Sequence, residues 1–160
     1  MVTRVGFGFD VHPLVEGRPL VLCGVTIPSP VGLEGHSDAD VLSHAIAEAL
    51  LGALALGDLG RHFPATDPRY RGISSLALLR EVLALIGGRG GRLVNVDATV
   101  LAQAPTLASF LPEMAKRLAD ALGIDSDRVS VKAKSPEGLG LVGRREGIAA
   151  MAVVAVEVTG

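Results

Sequence analysis

Apolar residues surround Gly6 and Gly8 near the start of the chain and predict a strand over residues 2–12, in which the two glycines allow another backbone to approach closely. Leu20-Val21-Leu22-Cys23 and Val25-Thr26-Ile27 read as a short hairpin closed by Gly24. Pro28 and Pro30 then mark a loop running to His36-Ser37-Asp38. Val41, Leu42, Ala45, Ile46, Ala49, Leu50 and Ala53 recur at helical spacing, so a helix is expected from about Asp40 to Leu56, with Ser37 or Asp38 as its N-cap. The stretch from Gly57 to Pro68 is too polar and too punctuated for an element and reads as a loop long enough to move over a site. A second helix, capped by Ser74 or Ser75, runs to about Ile86 and ends at Gly87-Gly88. Residues 92–102 alternate as a strand in which Asp97 needs a partner, and Ala102-Gln103-Ala104-Pro105 breaks it. A third helix spans 109–122 and stops at Gly123. A strand over 129–134, a loop over 135–140 and a long apolar strand over 147–158 complete the chain. This order predicts an α/β (α+β) fold: a single domain over 1–160, with a mixed β-sheet and helices packed on one face.

Composition narrows the function classes. A chain of 160 residues with 49 % hydrophobic content can bury a sizeable core as one domain. No apolar run reaches the roughly eighteen residues of a membrane span, and the N-terminus has no signal-peptide pattern. The single cysteine, Cys23, excludes an internal disulfide and fits a reducing, cytoplasmic compartment. A net charge of −2, with 3 % aromatics and no basic run, argues against a nucleic-acid partner. A chain so nearly neutral needs metal ions to supply positive charge if it handles a polyanion.

Candidate chemistry concentrates at the front of the chain, where all four histidines lie within the first 62 residues. Side chains two apart on a strand share a face, so Asp10 and His12 point the same way. His44, in the first turns of the first long helix, offers a third ligand. Three N/O ligands with one position open are the pattern of a working zinc site. The bland alternative stands beside it: Asp10 ends a strand, His12 is a turn residue and His44 is a satisfied helical histidine. Asp40, one turn before His44, reads either as a carboxylate gripping the second imidazole nitrogen of His44 or as a favourable charge at a helix N-terminus.

Six fragments occur together and in order: Gly8-Phe9-Asp10-Val11-His12, His36-Ser37-Asp38-x-Asp40-Val41-x-x-His44, Leu51-Gly52-Ala53-x-Ala55-Leu56-Gly57-Asp58-Leu59-Gly60, Asn95-Val96-Asp97, Ala102-Gln103-Ala104-Pro105 and Gly143-Arg144-x-Glu146-Gly147. In this the chain resembles the 2-C-methyl-D-erythritol 2,4-cyclodiphosphate synthase family of non-mevalonate isoprenoid biosynthesis, from about residue 2 to 158. The resemblance implies a homotrimer with active sites between adjacent subunits. It implies zinc held by Asp10, His12 and His44, and magnesium or manganese held by Glu137. The implied substrate is a cytidine diphosphate, 4-diphosphocytidyl-2-C-methyl-D-erythritol 2-phosphate, whose 2-phosphate attacks the β-phosphorus to release CMP. On the same resemblance, the cytidine lies against Ala102, Gln103, Ala104, Pro105, Thr106, Leu107 and Ala108, and against Lys134, Ser135, Pro136 and Glu137, of the neighbouring subunit. His36 and Ser135 are implied as transition-state stabilisers, and Asp58 and Gly60 as partners of the methylerythritol hydroxyls. Ser37, Leu59, Phe63, Asp67 and Leu141 complete the implied substrate contacts, together with Asp10 and His12. Arg144 is implied at the trimer axis, lining a cavity that can hold an isoprenoid diphosphate.

The chain departs from the family pattern at Ala65, Thr106, Lys134 and Leu141. Ser135 keeps a hydroxyl where the family has a threonine-rich turn, and Lys134 adds a charge for the phosphates. Two other readings remain open at this level. One is a zinc phosphoesterase using water, for which Asp38 or Asp40 would be the spare carboxylate. The other is a trimeric binding module for isoprenoid diphosphates with a structural metal.

Overall fold

Pairing on both edges extends the N-terminal strand beyond its expected end. The computed structural model describes residues 1–159; Gly160, the last residue of the expected domain 1–160, lies outside the described residues. The strand β1 spans Val2–Glu16, and its last three residues pair antiparallel with a strand the sequence pattern did not indicate, β4 at Val31–Leu33. Between them lies the expected hairpin, β2 at Leu20–Leu22 and β3 at Val25–Ile27, which forms a two-stranded sheet of its own among the described residues. Its turn residues Cys23 and Gly24 both have positive φ, the geometry that lets a two-residue turn follow the twist of its strands.

The helix α1 spans Val41–Ala53, three residues short of the expected end. Its N-cap is Asp40, not Ser37 or Asp38: the Asp40 carboxylate accepts from the Ser43 backbone N–H at 3.1 Å. The stretch read as a mobile loop contains one four-residue helix, α2 at Leu59–His62, capped by Asp58, and a 3₁₀ turn at Pro68–Tyr70, capped by Asp67. Elements this short show no periodicity in sequence. The helix α3 spans Ser75–Gly88, passing through the two glycines expected to stop it, and Gly90 supplies the positive φ that ends it. The strand β5 spans Gly91–Leu101, α4 Leu111–Leu122, β6 Val129–Lys134, and β7 Gly147–Val158. A further short helix, α5 at Gly140–Gly143, starts at the last residue of the expected loop and fills part of the stretch before β7.

One mixed five-stranded sheet runs in the order β4-β1-β7-β5-β6, with β5 and β6 parallel and the other neighbours antiparallel. The helices α1, α3 and α4 pack on one face, as expected for this single-domain α+β fold. α1 is buried on almost every side, because it lies between the sheet and α3. The core fills that layer with Leu42, Ile46, Leu50, Leu79, Val96, Val100, Ile148 and Val154. Asp97 finds its partner on the next strand, where Lys132 Nζ donates to it at 3.0 Å. Among the described residues nothing covers the other face of the sheet, and Val5, Phe7, Phe9, Val11 and Val153 stand exposed on it.

Candidate metal centre and its cleft

Close packing of α1 on β1 builds the site. Gly6, Gly8, Asp10 and His12 share the face of β1 that meets the helix, and a Cβ at either glycine would lie 1.8 Å from an α1 carbonyl oxygen. With no side chain in the way, the strand lies flush on the helix. Two and four residues past Gly8, Asp10 and His12 reach the start of α1, where His44 waits.

The three side chains meet. Asp10 Oδ2 lies 2.9 Å from His12 Nε2 and 3.1 Å from His44 Nδ1, and the two imidazole nitrogens are 3.1 Å apart. Proton positions follow from the outer partners. His12 Nδ1 faces the Glu34 carbonyl at 2.9 Å, which can only accept, so the proton of the neutral ring sits there and Nε2 carries a lone pair. His44 Nε2 faces Ser75 Oγ at 2.8 Å and Ser37 Oγ at 3.1 Å. The Ser75 hydroxyl donates to the Asp38 carboxylate, so Ser75 accepts from His44 Nε2–H and His44 Nδ1 is also bare. Three lone-pair atoms therefore converge on one point. Without a cation they repel, so the donor set fits a divalent ion.

In the metal-free protein a proton on His12 takes the place of the ion beside Asp10. Burial pushes the Asp10 carboxyl up, but hydrogen bonds and charge from His12 and His44 outweigh it and hold the group at about 2. Burial lowers His12, yet Asp10 outweighs that and raises it above its ordinary value. Of its two readings, Asp40 takes the charge at a helix N-terminus, capping α1, and not the carboxylate behind His44. Its buried carboxylate accepts from the backbone N–H groups of Cys23 at 3.0 Å and Gly24 at 2.9 Å, and from Ser43 Oγ at 2.8 Å. It ties the hairpin to α1, and burial, with the Asp38 charge nearby, raises its pKa. The outer partner of His44 is the Ser75–Asp38 pair. The adjacent serines at 74 and 75 and the short spacing from Asp38 to His44 were the only sequence signals for it.

The triad opens into a cleft of about 280 Å³, lined also by His36, Ser37, Glu48, Leu59, Gly60, Phe63, Ala65, Tyr70 and Leu78. His36 Nε2 donates to the Asp67 carbonyl at 2.9 Å. The Asp67 side chain is turned to Arg69, and Asp58 Oδ1 accepts from Arg61 N–H at 3.0 Å. Thus the structure gathers Asp10, His12, His36, Ser37, His44, Leu59, Gly60 and Phe63 around one space.

The remaining expected residues lie elsewhere. Ala102, Gln103, Pro105, Thr106, Leu107, Ala108, Lys134 and Ser135 line a separate cleft of about 220 Å³ at the ends of β5 and β6. The Ala104–Pro105 bond there is cis. Ser135 Oγ accepts from Glu137 N–H at 3.0 Å, holding the turn that presents Pro136 and Glu137, and Gln103 Oε1 accepts from Gly138 N–H at 2.8 Å. Leu141 lies exposed on α5, and Arg144 Nε donates to Glu146 at 2.6 Å.

Comparison with known proteins gives a consistent picture. The pattern of the YgbB family matches residues 3–157. The 2-C-methyl-D-erythritol 2,4-cyclodiphosphate synthase of Geobacter metallireducens is 60 % identical over 154 residues, covering 96 % of this chain and 98 % of that protein. A solved cyclodiphosphate synthase structure in a CDP-bound form superposes with a TM-score of 0.89 at 41 % identity, covering 96 % of this chain and 100 % of the other. The bifunctional IspDF of Campylobacter jejuni superposes with a TM-score of 0.95 at 40 % identity, over 99 % of this chain and 43 % of that one.

Proposed function

The chain belongs to the YgbB family, and from that membership we propose that it is a cyclodiphosphate synthase of the non-mevalonate isoprenoid pathway. It converts 4-diphosphocytidyl-2-C-methyl-D-erythritol 2-phosphate to 2-C-methyl-D-erythritol 2,4-cyclodiphosphate and releases CMP. The observation that carries this reading is the convergence of three bare donor atoms, Asp10 Oδ2, His12 Nε2 and His44 Nδ1, at the wall of an open cleft.

Zinc is the ion that suits this donor set, and the second, magnesium or manganese, is assigned to Glu137. Bound there, the ions supply positive charge to the diphosphate and to the leaving CMP. Everything else falls to the chain and the substrate. A phosphate monoester is ionised at neutral pH, so no protein base is required. Nucleophile and electrophile belong to one molecule, and folding it over in the cleft gives the advantage of intramolecular attack. Leu59, Gly60 and Phe63 shape the wall that holds the methylerythritol portion. Ser135 and His36 are assigned to the phosphate oxygens, His36 as the imidazolium, because its Nε2–H is already given to the Asp67 carbonyl and only a second N–H, at Nδ1, could reach a phosphate. Asp38 and Asp40, the carboxylates a water-activating phosphoesterase would draw on, are both engaged in hydrogen bonds.

The cytidine half of the site belongs to a neighbouring subunit in a homotrimer. Two features support this: the two clefts of one chain are separate, and the helix-free face of the sheet exposes Val5 and Phe7 at 67 % and 62 %. Arg144 is the residue assigned to the axis, where an isoprenoid diphosphate fits its charge.

Incubation with the cytidyl substrate tests the reading. The expected result is CMP and a cyclic diphosphate seen by phosphorus NMR, with Asp10→Ala and His44→Ala losing bound metal and CMP release together. Linear phosphate products carrying solvent oxygen would overturn it.

A further inference from the structure

The hydrogen bonds behind His44 form a directed chain. Its Nε2–H donates to Ser75 Oγ at 2.8 Å, and the Ser75 hydroxyl donates to Asp38 Oδ1. The carboxylate at the end is itself fixed: Asp38 Oδ2 accepts from the Ser75 backbone N–H at 3.1 Å, and Oδ1 from Asp40 N–H at 3.1 Å. Two backbone bonds lock the segments that carry the pair, Asp38 N–H to the Ile73 carbonyl at 3.1 Å and Gly72 N–H to the His36 carbonyl at 2.8 Å. Ser75 is 1 % exposed, so water does not compete for its hydroxyl.

Helix capping explains only part of this arrangement. Ser74 occupies the N-cap position of α3 but makes no cap hydrogen bond, and Asp38 caps that helix from 37 residues away. A structural role alone would need only the bonds to backbone N–H. The Ser75 hydroxyl adds something different: it connects a carboxylate to the ring nitrogen opposite the one that faces Asp10 and His12.

We propose that Asp38 and Ser75 are positioning residues for the metal centre, a carboxylate–hydroxyl relay that sets the tautomer, the tilt and the donor strength of His44. The relay rests on the reading of Asp10, His12 and His44 as metal ligands. Its physics is that of a carboxylate behind a metal-bound histidine, with one hydroxyl inserted. Nε2–H leans on an acceptor whose own proton is drawn toward a negative charge. Electron density moves toward Nδ1, and the ring cannot flip to present the wrong nitrogen. Ser37 Oγ, at 3.1 Å from Nε2 and accepting from Ala39 N–H at 3.2 Å, is a second and weaker acceptor for the same proton.

The test measures zinc affinity by competition with a chromogenic chelator, on the full chain, in wild type, Ser75→Ala, Asp38→Asn, His44→Ala and the control Ser74→Ala. Thermal melts of the metal-free proteins report folding. Ser75→Ala is expected to weaken zinc binding by about tenfold to a hundredfold, Asp38→Asn by a smaller factor, and Ser74→Ala not at all. Cobalt-loaded Ser75→Ala should also show shifted visible absorption bands, which a change in helix stability alone would not move. If Ser75→Ala fails to fold, Asp38→Asn, which keeps an oxygen for the Ser75 backbone N–H and gives up the Oδ1 contacts to the Ser75 hydroxyl and Asp40 N–H, decides the matter. Zinc affinity within about twofold of wild type in every folded relay variant, with unchanged cobalt bands, overturns the relay while leaving the metal centre standing. A wild-type chain that binds no zinc, or a His44→Ala chain that binds it undiminished, overturns both.

Discussion

Gly8 and Ala45 are in backbone contact: a Cβ on Gly8 would sit 1.8 Å from the Ala45 carbonyl oxygen, and 2.8 Å from the Ala49 amide nitrogen. Neither obstacle is a flexible side chain that could swing away. Gly8→Ala must therefore push α1 off β1, and the same shift separates His44 from Asp10 and His12. The expected cost is about 3 kcal/mol or more of folding stability, measured by urea denaturation, with a matching fall in bound zinc. Full zinc occupancy and unchanged stability in Gly8→Ala would mean that the strand–helix contact does not set the ligand spacing.

The metal-free protein should show a pH dependence set by the Asp10–His12 pair. His12 is raised above its ordinary 6.5 by Asp10, against the opposing effect of burial. Its contribution is fully present below 6.5 and is lost as pH rises through the higher folded value. Asp10 is held at about 2 against an ordinary 3.8, so its contribution is present above 3.8 and is lost as pH falls toward 2. From this pair, chelator-treated protein is most stable between about 3.8 and 6.5. Zinc is expected to reverse the upper limb, because an ion held by His12 would take the place of its proton and bind more tightly as pH rises. Urea denaturation across pH, with and without chelator, checks both limbs. A metal-free curve that climbs as pH rises from 6.5 would contradict the assignment.

Local rules explain which parts of this were legible. Asp10 and His12 share a face because strand side chains alternate, and α1, α3 and α4 carry enough turns to show their period. The strand Val31–Leu33 was hidden because three residues next to a proline-marked loop have no pattern of their own. It exists through its pairing with β1, and the Glu34 carbonyl that follows it orients His12. Of the two readings of Asp40, the charge at a helix N-terminus holds, and the carboxylate behind His44 fails for a related reason. One helical turn separates Asp40 from His44, but its carboxylate points to the N–H groups of a hairpin 16 and 17 residues earlier. The partner His44 does have, Ser75, lies 31 residues away, where only tertiary packing brings it close. The family fragments carried the resemblance, whereas the hydrogen-bond directions that fit the cluster to a cation needed coordinates.

A division of labour follows from the two clefts that one chain keeps apart, the first around His44 and the second around Lys134 and Ser135. If neighbours in a ring pool them, a defect in one cleft cripples a different centre from a defect in the other. His44→Ala and Glu137→Ala proteins, each inactive alone, should then rescue each other when unfolded together and reassembled. Random hybrids would place an intact metal cleft against an intact cytidine cleft in about one centre in four, recovering about that share of wild-type turnover. Hybrids as silent as their parents would confine each centre to a single chain.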